Sequence, residues 1–298
     1  MNRVSLRERI EQGLLILDGA MGTQLIARRV APGVCNDNLN IDSPEIVLDV
    51  QRAYIDAGSD AILTNTFGAN RYSLSRYGLG DKAEQINKAG AHLARQAAGD
   101  SRYVLGDIGP TGDFLEPLGT LKPDELQQAF VLQTRGLAAG GADGIIIETM
   151  TSIEEAQVAI AAVKSVCDLP IFVSFAFDAA GNDFRTMMGV DVRTAVSALA
   201  PLGIDAVGFN CGTLSLDGYV KLAGAFMEAV SSLSPDVKIV AEPNAGRPEL
   251  ADGRAVYKVS PQDYAAAAER IYATGATIIG GCCGTTPAHI EAVARRLK

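Results

Sequence analysis

The chain has 298 residues, 48% of them hydrophobic and 20% charged, with a formal net charge of -9. That length and apolar content suffice for a large core, in two ordinary domains or one large α/β domain. The acidic balance argues against nucleic acid or an anionic membrane as partner, and no apolar run approaches the roughly 18–20 residues of a membrane span.

In chain order, the opening stretch "MNRVSLRERIEQGLLILDGAMG" is charged and reaches only a short apolar segment, unlike a secretory signal. The first apolar run, "LLILDGAMG" (14–22), is short and continuous, as expected of a strand buried on both faces. A helix follows over "SPEIVLDVQRAYIDAG", with Ser43 as N-cap and Pro44 in the first helical position. Ile46, Val50, Ala53, Tyr54 and Ala57 share one face of it, and Gly58 is its stop. Further strands are predicted at "DAILTNTFG" (60–68), "YVLGDIGPTG" (103–112) and "DGIIIET" (143–149). Between the last two, "KPDELQQAFVLQTRGLAAGG" reads as a helix with Leu126, Phe130 and Leu137 as its stripe. The series continues with "IFVSFAFD" (171–178), "DAVGFNCG" (205–212), "KIVAEPNAG" (238–246) and "TIIGGCCG" (277–284).

Four of the junctions into strands are near-copies: "AGSDAI", "GGADGI", "LGIDAV" and "TGATII". Each ends a helix on glycine and turns at once into an apolar strand. Eight β-α units in a chain of this length predict an α/β fold, a single-domain (β/α)8 TIM barrel over 1–298, which typically needs roughly 250 residues. An open doubly wound sheet also alternates strand and helix. The count of eight and the lack of any linker-like break favour the barrel.

Barrels of this kind do their chemistry at the C-terminal ends of the strands. Those corners hold Asp18, Thr64-Asn65-Thr66, Asp107, Glu148-Thr149, Asp178, Asn210-Cys211, Glu242-Pro243-Asn244 and Cys282-Cys283. Three of the five cysteines are therefore at strand ends; Cys35 and Cys167 lie in a loop and near a helix end. An odd number of scattered cysteines is no disulfide framework, and reduced thiols in a cytoplasmic protein are expected. Three thiolates converging at one rim point to a soft metal, zinc first. His92 and His289 fall within helices, which leaves the fourth position to substrate, as in catalytic sites. The alternatives are a buried hydrophobic role for Cys211, a vicinal disulfide or redox switch at Cys282-Cys283, and a phosphate cup formed by "GGCCG" with Thr286 and Pro287.

The stretches "LDGAMGT" (17–23), "TNTFGANR" (64–71), "GDIGPTG" (106–112), "IET" (147–149), "FNCG" (209–212), "PNAG" (243–246) and "GGCCGTTPAHI" (280–290) resemble the homocysteine S-methyltransferase family essentially end to end. Its barrel occurs in cobalamin-dependent methionine synthase, in betaine–homocysteine methyltransferase and in S-methylmethionine-dependent enzymes. The resemblance implies one zinc ion per chain on Cys211, Cys282 and Cys283, with the homocysteine sulfur in the open position. It implies that Asp18 and Glu148 hold the substrate ammonium and that backbone N–H groups of Gly19-Ala20 take its carboxylate. Asn210, placed with this substrate-binding set, shapes the loop beside the metal. No catalytic side chain is expected beyond the activated substrate thiolate.

The methyl donor is the least specified part. A quaternary ammonium donor favours an aromatic cage, and the chain has no tryptophan. The betaine branch carries a tyrosine where this chain has Thr149. The stretch "CNDNLNIDSPEIVLDVQRAYIDAGSDAILTNTFGANR" resembles the cobalamin-dependent branch more closely. The expected partners are thus homocysteine and a methyl-corrinoid carried by a separate protein, with small sulfonium donors next. Two rival readings remain: a metal-free phosphate-binding barrel enzyme, and a non-catalytic zinc or redox module.

Overall fold

Each of the eight apolar runs becomes a parallel strand of one sheet: β1 (Leu15–Ile16), β2 (Ala61–Leu63), β3 (Tyr103–Ile108), β4 (Gly144–Met150), β5 (Ile171–Phe175), β6 (Ala206–Asn210), β7 (Lys238–Glu242) and β8 (Ile278–Ile279). The computed structural model describes residues 3–31, 33–181, 183–251 and 254–298. Neighbours along the sheet run β1-β8-β7-β6-β5-β4-β3-β2. The seam between β1 and β2 is bridged by Asp60 N–H donating to Ile16 O at 2.7 Å and Leu63 N–H donating to the Asp18 carboxylate at 3.0 Å. This is the (β/α)8 barrel that the unit count predicts. Two short hairpins, 178–180 with 183–185 and 249–251 with 254–256, are added to the loops after β5 and β7.

Continuous apolar runs follow from burial on both faces. One face fills the barrel interior with Leu15, Leu17, Leu105, Ile146, Phe172, Val240 and Ile278. The other packs against the helices through side chains such as Ile16, Ile62, Val104, Ile145 and Val207. Leu126, Phe130 and Leu137 are fully buried on the helix Pro123–Ala139, as its stripe predicts. The helix Pro44–Asp56 is rotated slightly from expectation: Val47, Val50, Gln51 and Tyr54 face inward, and Ile46 and Ala53 are only half-buried. A polar Gln51 is tolerated inside because its amide reaches Leu63 O at 3.5 Å.

The repeated junctions build the floor of the barrel. Asp60, Asp143 and Asp205 each immediately precede an even-numbered strand. Their carboxylates accept the N–H of Ile16, Val104 and Ile171 at 3.0, 2.8 and 2.9 Å on the preceding strand. The N-terminal segment then covers the floor, burying Leu6 and Ile10 of the helix Leu6–Glu11. Arg9 pairs with Asp60, Arg3 with Asp143 and Arg7 with Asp205. In the fourth quadrant the junction residue is Thr277, whose hydroxyl has no partner, and the polarity inverts to Glu11 with Lys238 at 2.8 Å.

Candidate functional site

A strand end is where buried backbone first becomes free to present side chains, and seven strand ends meet at one cavity of about 310 Å³. Its wall includes Asp18 after β1, Thr64 to Gly68 after β2, Asp107 on β3, Glu148 and Thr149 on β4, Glu242 on β7 and all three strand-end cysteines. Asp178 lies elsewhere, exposed on the hairpin after β5, where it accepts from Thr213.

Cys211 Sγ lies 3.9 Å from Cys283 Sγ, and Cys283 Sγ lies 3.9 Å from Cys282 Sγ, with all three sulfurs within 4.8 Å of one another. Four ligands placed tetrahedrally about 2.3 Å from a metal are separated by about 3.8 Å, so the donor set fits a tetrahedral thiolate-binding ion. No disulfide is formed among the three. The neighbouring backbone is strained for this purpose. Among described residues, only Arg29, Thr149 and Cys211 are non-glycine positions with positive φ, and two of these three are at the site. At φ 55° the chain turns at once after β6, and Cys211 N–H still reaches Glu242 O at 3.3 Å. Cys282 and Cys283 are held to the loop after β7 by Cys282 N–H on Pro243 O and Ala245 N–H on Cys283 O, both 2.9 Å.

The thiols share charge unevenly. Donation from Cys282 and Cys283 draws the Cys211 thiol down to about 3 and pushes the other two up, Cys283 to about 11.

Five carboxyls line the same cavity, those of Asp18, Asp37, Asp107, Glu148 and Glu242. Burial lifts Asp18, Asp107 and Glu242 well above the ordinary carboxylate range, and lifts Glu148 to about 7 with help from the charge on Cys211. Asp107 Oδ1 and Glu242 Oε2 are buried without a hydrogen-bond partner. A pocket with this many acids and unpaired oxygens is built for cations.

Asn210 stands behind the cavity wall, fully buried. Its oxygen accepts from Thr149 N–H and Ser174 Oγ, each at 2.8 Å. Its nitrogen donates to Glu148 Oε2 at 3.0 Å and to Thr149 Oγ1 at 2.7 Å, and lies 3.7 Å from Cys282 Sγ. It therefore orients the carboxylate and a sulfur rather than facing the cavity. Gly19 and Ala20 do line the cavity. A Cβ at Gly19 would lie 2.6 Å from Thr285 Oγ1 and 2.9 Å from the Tyr54 hydroxyl, so only glycine fits. The Ala20 N–H is already engaged by Thr285 Oγ1 at 3.0 Å.

Asp107 and Glu242 appear among the strand-end polar residues of the sequence but carry no signal separating them from Thr64 or Asp178. His289 is used structurally, with Nδ1 2.8 Å from Thr286 Oγ1 and Nε2 3.0 Å from Val259 O. Cys35 is buried away from the other thiols, and Cys167 caps the helix Ile153–Val166.

A family model described as homocysteine S-methyltransferase matches residues 15–297. The chain is 34% identical over 96% of its length to the methionine synthase of Mycobacterium tuberculosis, and 33% identical over 97% to that of Mycobacterium leprae. It spans about a quarter of the length of those two relatives. Among solved structures, the homocysteine methyltransferase MmuM of Escherichia coli in its metallated form superposes with a TM-score of 0.79 at 23% identity. That match covers 98% of this chain and 99% of the other, and it is a likeness of fold.

Proposed function

The chain belongs to the homocysteine S-methyltransferase family, and from that membership we propose that it transfers a methyl group to the sulfur of homocysteine, forming methionine. The observation that carries the reading is the meeting of three sulfurs within 4.8 Å with a pocket of buried carboxyls. A ligand bearing both a thiol and an ammonium group suits these two halves.

Cys211, Cys282 and Cys283 would hold one zinc ion. Bound there, zinc supplies the charge that keeps a substrate thiol ionised at neutral pH, where a free thiol with a pKa of roughly 8.5 is mostly protonated. Asp18, after β1, and Glu148, on β4, bind the substrate ammonium between them, and Asn210 fixes the Glu148 carboxylate. The Gly19-Ala20 corner, which lines the cavity, faces the substrate carboxylate. Held this way, the substrate sulfur attacks the donor methyl carbon in line. The new S–C bond forms as the leaving group departs with the electron pair of the old one.

For the donor we favour a methyl-corrinoid carried by a protein, with a small sulfonium next. Support comes from large apolar side chains exposed on the loops after β2, β3 and β5: Phe67, Phe114, Leu118 and Met187. A rim of that kind suits a docking protein better than a small ion. The absence of tryptophan disfavours a cage for betaine.

The test is incubation of metal-replete protein with homocysteine and a donor panel of methylcobalamin, S-methylmethionine, S-adenosylmethionine and betaine, with methionine as readout. Methionine from the corrinoid donor is the expected result. A protein with one zinc per chain whose metal coordination does not change on adding homocysteine would overturn the substrate assignment.

A further inference from the structure

Of the three clustered cysteines, Cys211 alone has a positive φ, 55°, a conformation that residues other than glycine seldom hold. Gly212 follows at φ 78°, so the chain doubles back directly after β6. At this turn the carbonyl of Cys211 takes its hydrogen bond from a side chain and not from a strand. The Tyr219 hydroxyl donates to Cys211 O at 2.7 Å and lies 3.3 Å from Gly212 O. We propose that Tyr219 is a positioning residue of the metal site, whose hydroxyl holds Cys211 in the left-handed turn that brings its sulfur to Cys283.

The hydroxyl is itself held in place. Tyr219 is fully buried in the first turn of the helix Leu216–Leu233, which Ser215 caps by accepting Gly218 N–H at 3.2 Å. Its ring stacks on Phe209 of β6, with centroids 6.0 Å apart and planes at 7°. Phe209 stands two residues before Cys211, so one strand supports the ring and presents the carbonyl that its hydroxyl meets. The far side of the turn is fixed as well. A Cβ at Gly212 would lie 2.2 Å from Phe177 O, which requires glycine there, and Asn244 Nδ2 donates to Gly212 O at 2.7 Å. Cys211 N–H is held more loosely, 3.3 Å from Glu242 O. The bond from Tyr219 is thus the shorter of the two on the Cys211 backbone.

The physical consequence concerns strain. A non-glycine residue at positive φ persists only while its surroundings impose that conformation. Without the hydroxyl, Cys211 O loses its donor and the turn is free to relax. Relaxation would carry Sγ away from Cys283, now 3.9 Å distant, and leave a metal with the adjacent pair Cys282-Cys283. A phenol, with an ordinary pKa near 10, stays protonated and donating at neutral pH. Tyr219 does not line the cavity, so it acts through Cys211 and touches no substrate.

This inference rests on the reading of the cysteines as a zinc site, and one experiment separates the two. Zinc affinity is measured by chelator competition for wild type, for Tyr219→Phe, which keeps the ring on Phe209, and for Tyr103→Phe. Tyr103 is a buried tyrosine at the floor of the barrel, and its hydroxyl donates to Val4 O at 2.9 Å. It therefore controls for the loss of a purely structural hydroxyl. Zinc should bind Y219F about tenfold more weakly and Y103F as tightly as wild type. In the cobalt-substituted proteins, the thiolate-to-metal charge-transfer band should lose intensity in Y219F alone, because one sulfur has left the ion. If Y219F matches wild type in affinity and band, Tyr219 has no such role. Weaker binding with an unaltered band would also overturn it, since Cys211 would still ligate as before. An equal loss in both variants would trace the effect to a general loosening of the fold and overturn it too. If wild type binds no metal, the zinc reading itself is overturned, and this inference with it.

Discussion

Asp18 accepts the backbone N–H of Leu63 at 3.0 Å, across the seam between the first and second strands of the barrel. The residue proposed to grip the substrate ammonium therefore also helps close the fold. These two roles separate by mutation. Asp18→Asn keeps an oxygen for Leu63 N–H but loses the charge. Its KM for homocysteine should rise about 10- to 100-fold, equivalent to about 1.4–2.8 kcal/mol, with no fall in melting temperature. Asp18→Ala strands a buried N–H and should cost a further ~1–3 kcal/mol in chemical denaturation. Equal losses of stability in the two variants would refute the division.

Glu148 makes the metal-free, ligand-free protein sensitive to pH. Its carboxyl is lifted from 4.5 to about 7, by burial first and then by the charge on Cys211, against a hydrogen bond with Asp107. A carboxyl whose folded pKa exceeds its unfolded one binds its proton more tightly when folded. Its contribution is full below about pH 4.5 and is lost as pH climbs through about 7. Asp18, Asp107 and Glu242 are shifted in the same direction. Melting of chelator-treated protein should therefore fall between pH 5 and pH 8. Glu148→Gln, which still offers an oxygen to Asn210, should flatten that slope, and an unchanged slope would count against the assignment.

The cysteines divide sharply by position. Cys211→Ser, Cys282→Ser and Cys283→Ser should each lower zinc from about one per chain to a small fraction, since hydroxyl oxygen is a poor ligand for a site of this kind. Cys35→Ser and Cys167→Ser should leave metal content unchanged, as neither is part of the sulfur cluster. Elemental analysis of the five variants decides the matter, and retention of full zinc in any of the first three would contradict it.

The barrel floor offers a test of stability alone. Asp60 accepts Ile16 N–H and meets Arg9, Arg102 and Lys298. Asp60→Ala should cost about 2–3 kcal/mol, because a buried N–H and a knot of cations lose their partner together. At the equivalent position in the last repeat, Thr277 buries a hydroxyl with no partner. Thr277→Val should be neutral or stabilising by up to about 1 kcal/mol. Urea denaturation measures both, and a clear loss on Thr277→Val would mean that the hydroxyl has a partner in solution.

Much of this was legible along the chain. The "SDAI", "ADGI" and "IDAV" junctions mark repeated units, and the structure supplies their physical sense, an aspartate clamping the preceding strand. The three cysteines were legible as a group because each ends or follows a strand. Asp107 and Glu242 stood in the same census yet could not be ranked, since only burial distinguishes them from exposed Asp178. Tyr257, whose ring packs on Gly284 in the cysteine loop, gave no signal at all. It follows a hairpin rather than a strand, and its relation to Gly284 exists only through space.

By itself the sequence determined what depends on local chemistry and period: apolar runs long enough to be strands, helices between them, and polar or sulfur-bearing residues at the corners. The tertiary structure alone decided which of those corners face one another. Closing the barrel brings Cys211 to 3.9 Å from Cys283, far away in sequence, and gathers five carboxyls in the same cavity. It also sets Asn210 behind Glu148 and spends the Ala20 N–H on Thr285. Proximity of this kind comes from packing and strand register. Neither is written in any single stretch of residues, because each depends on all eight strands closing together.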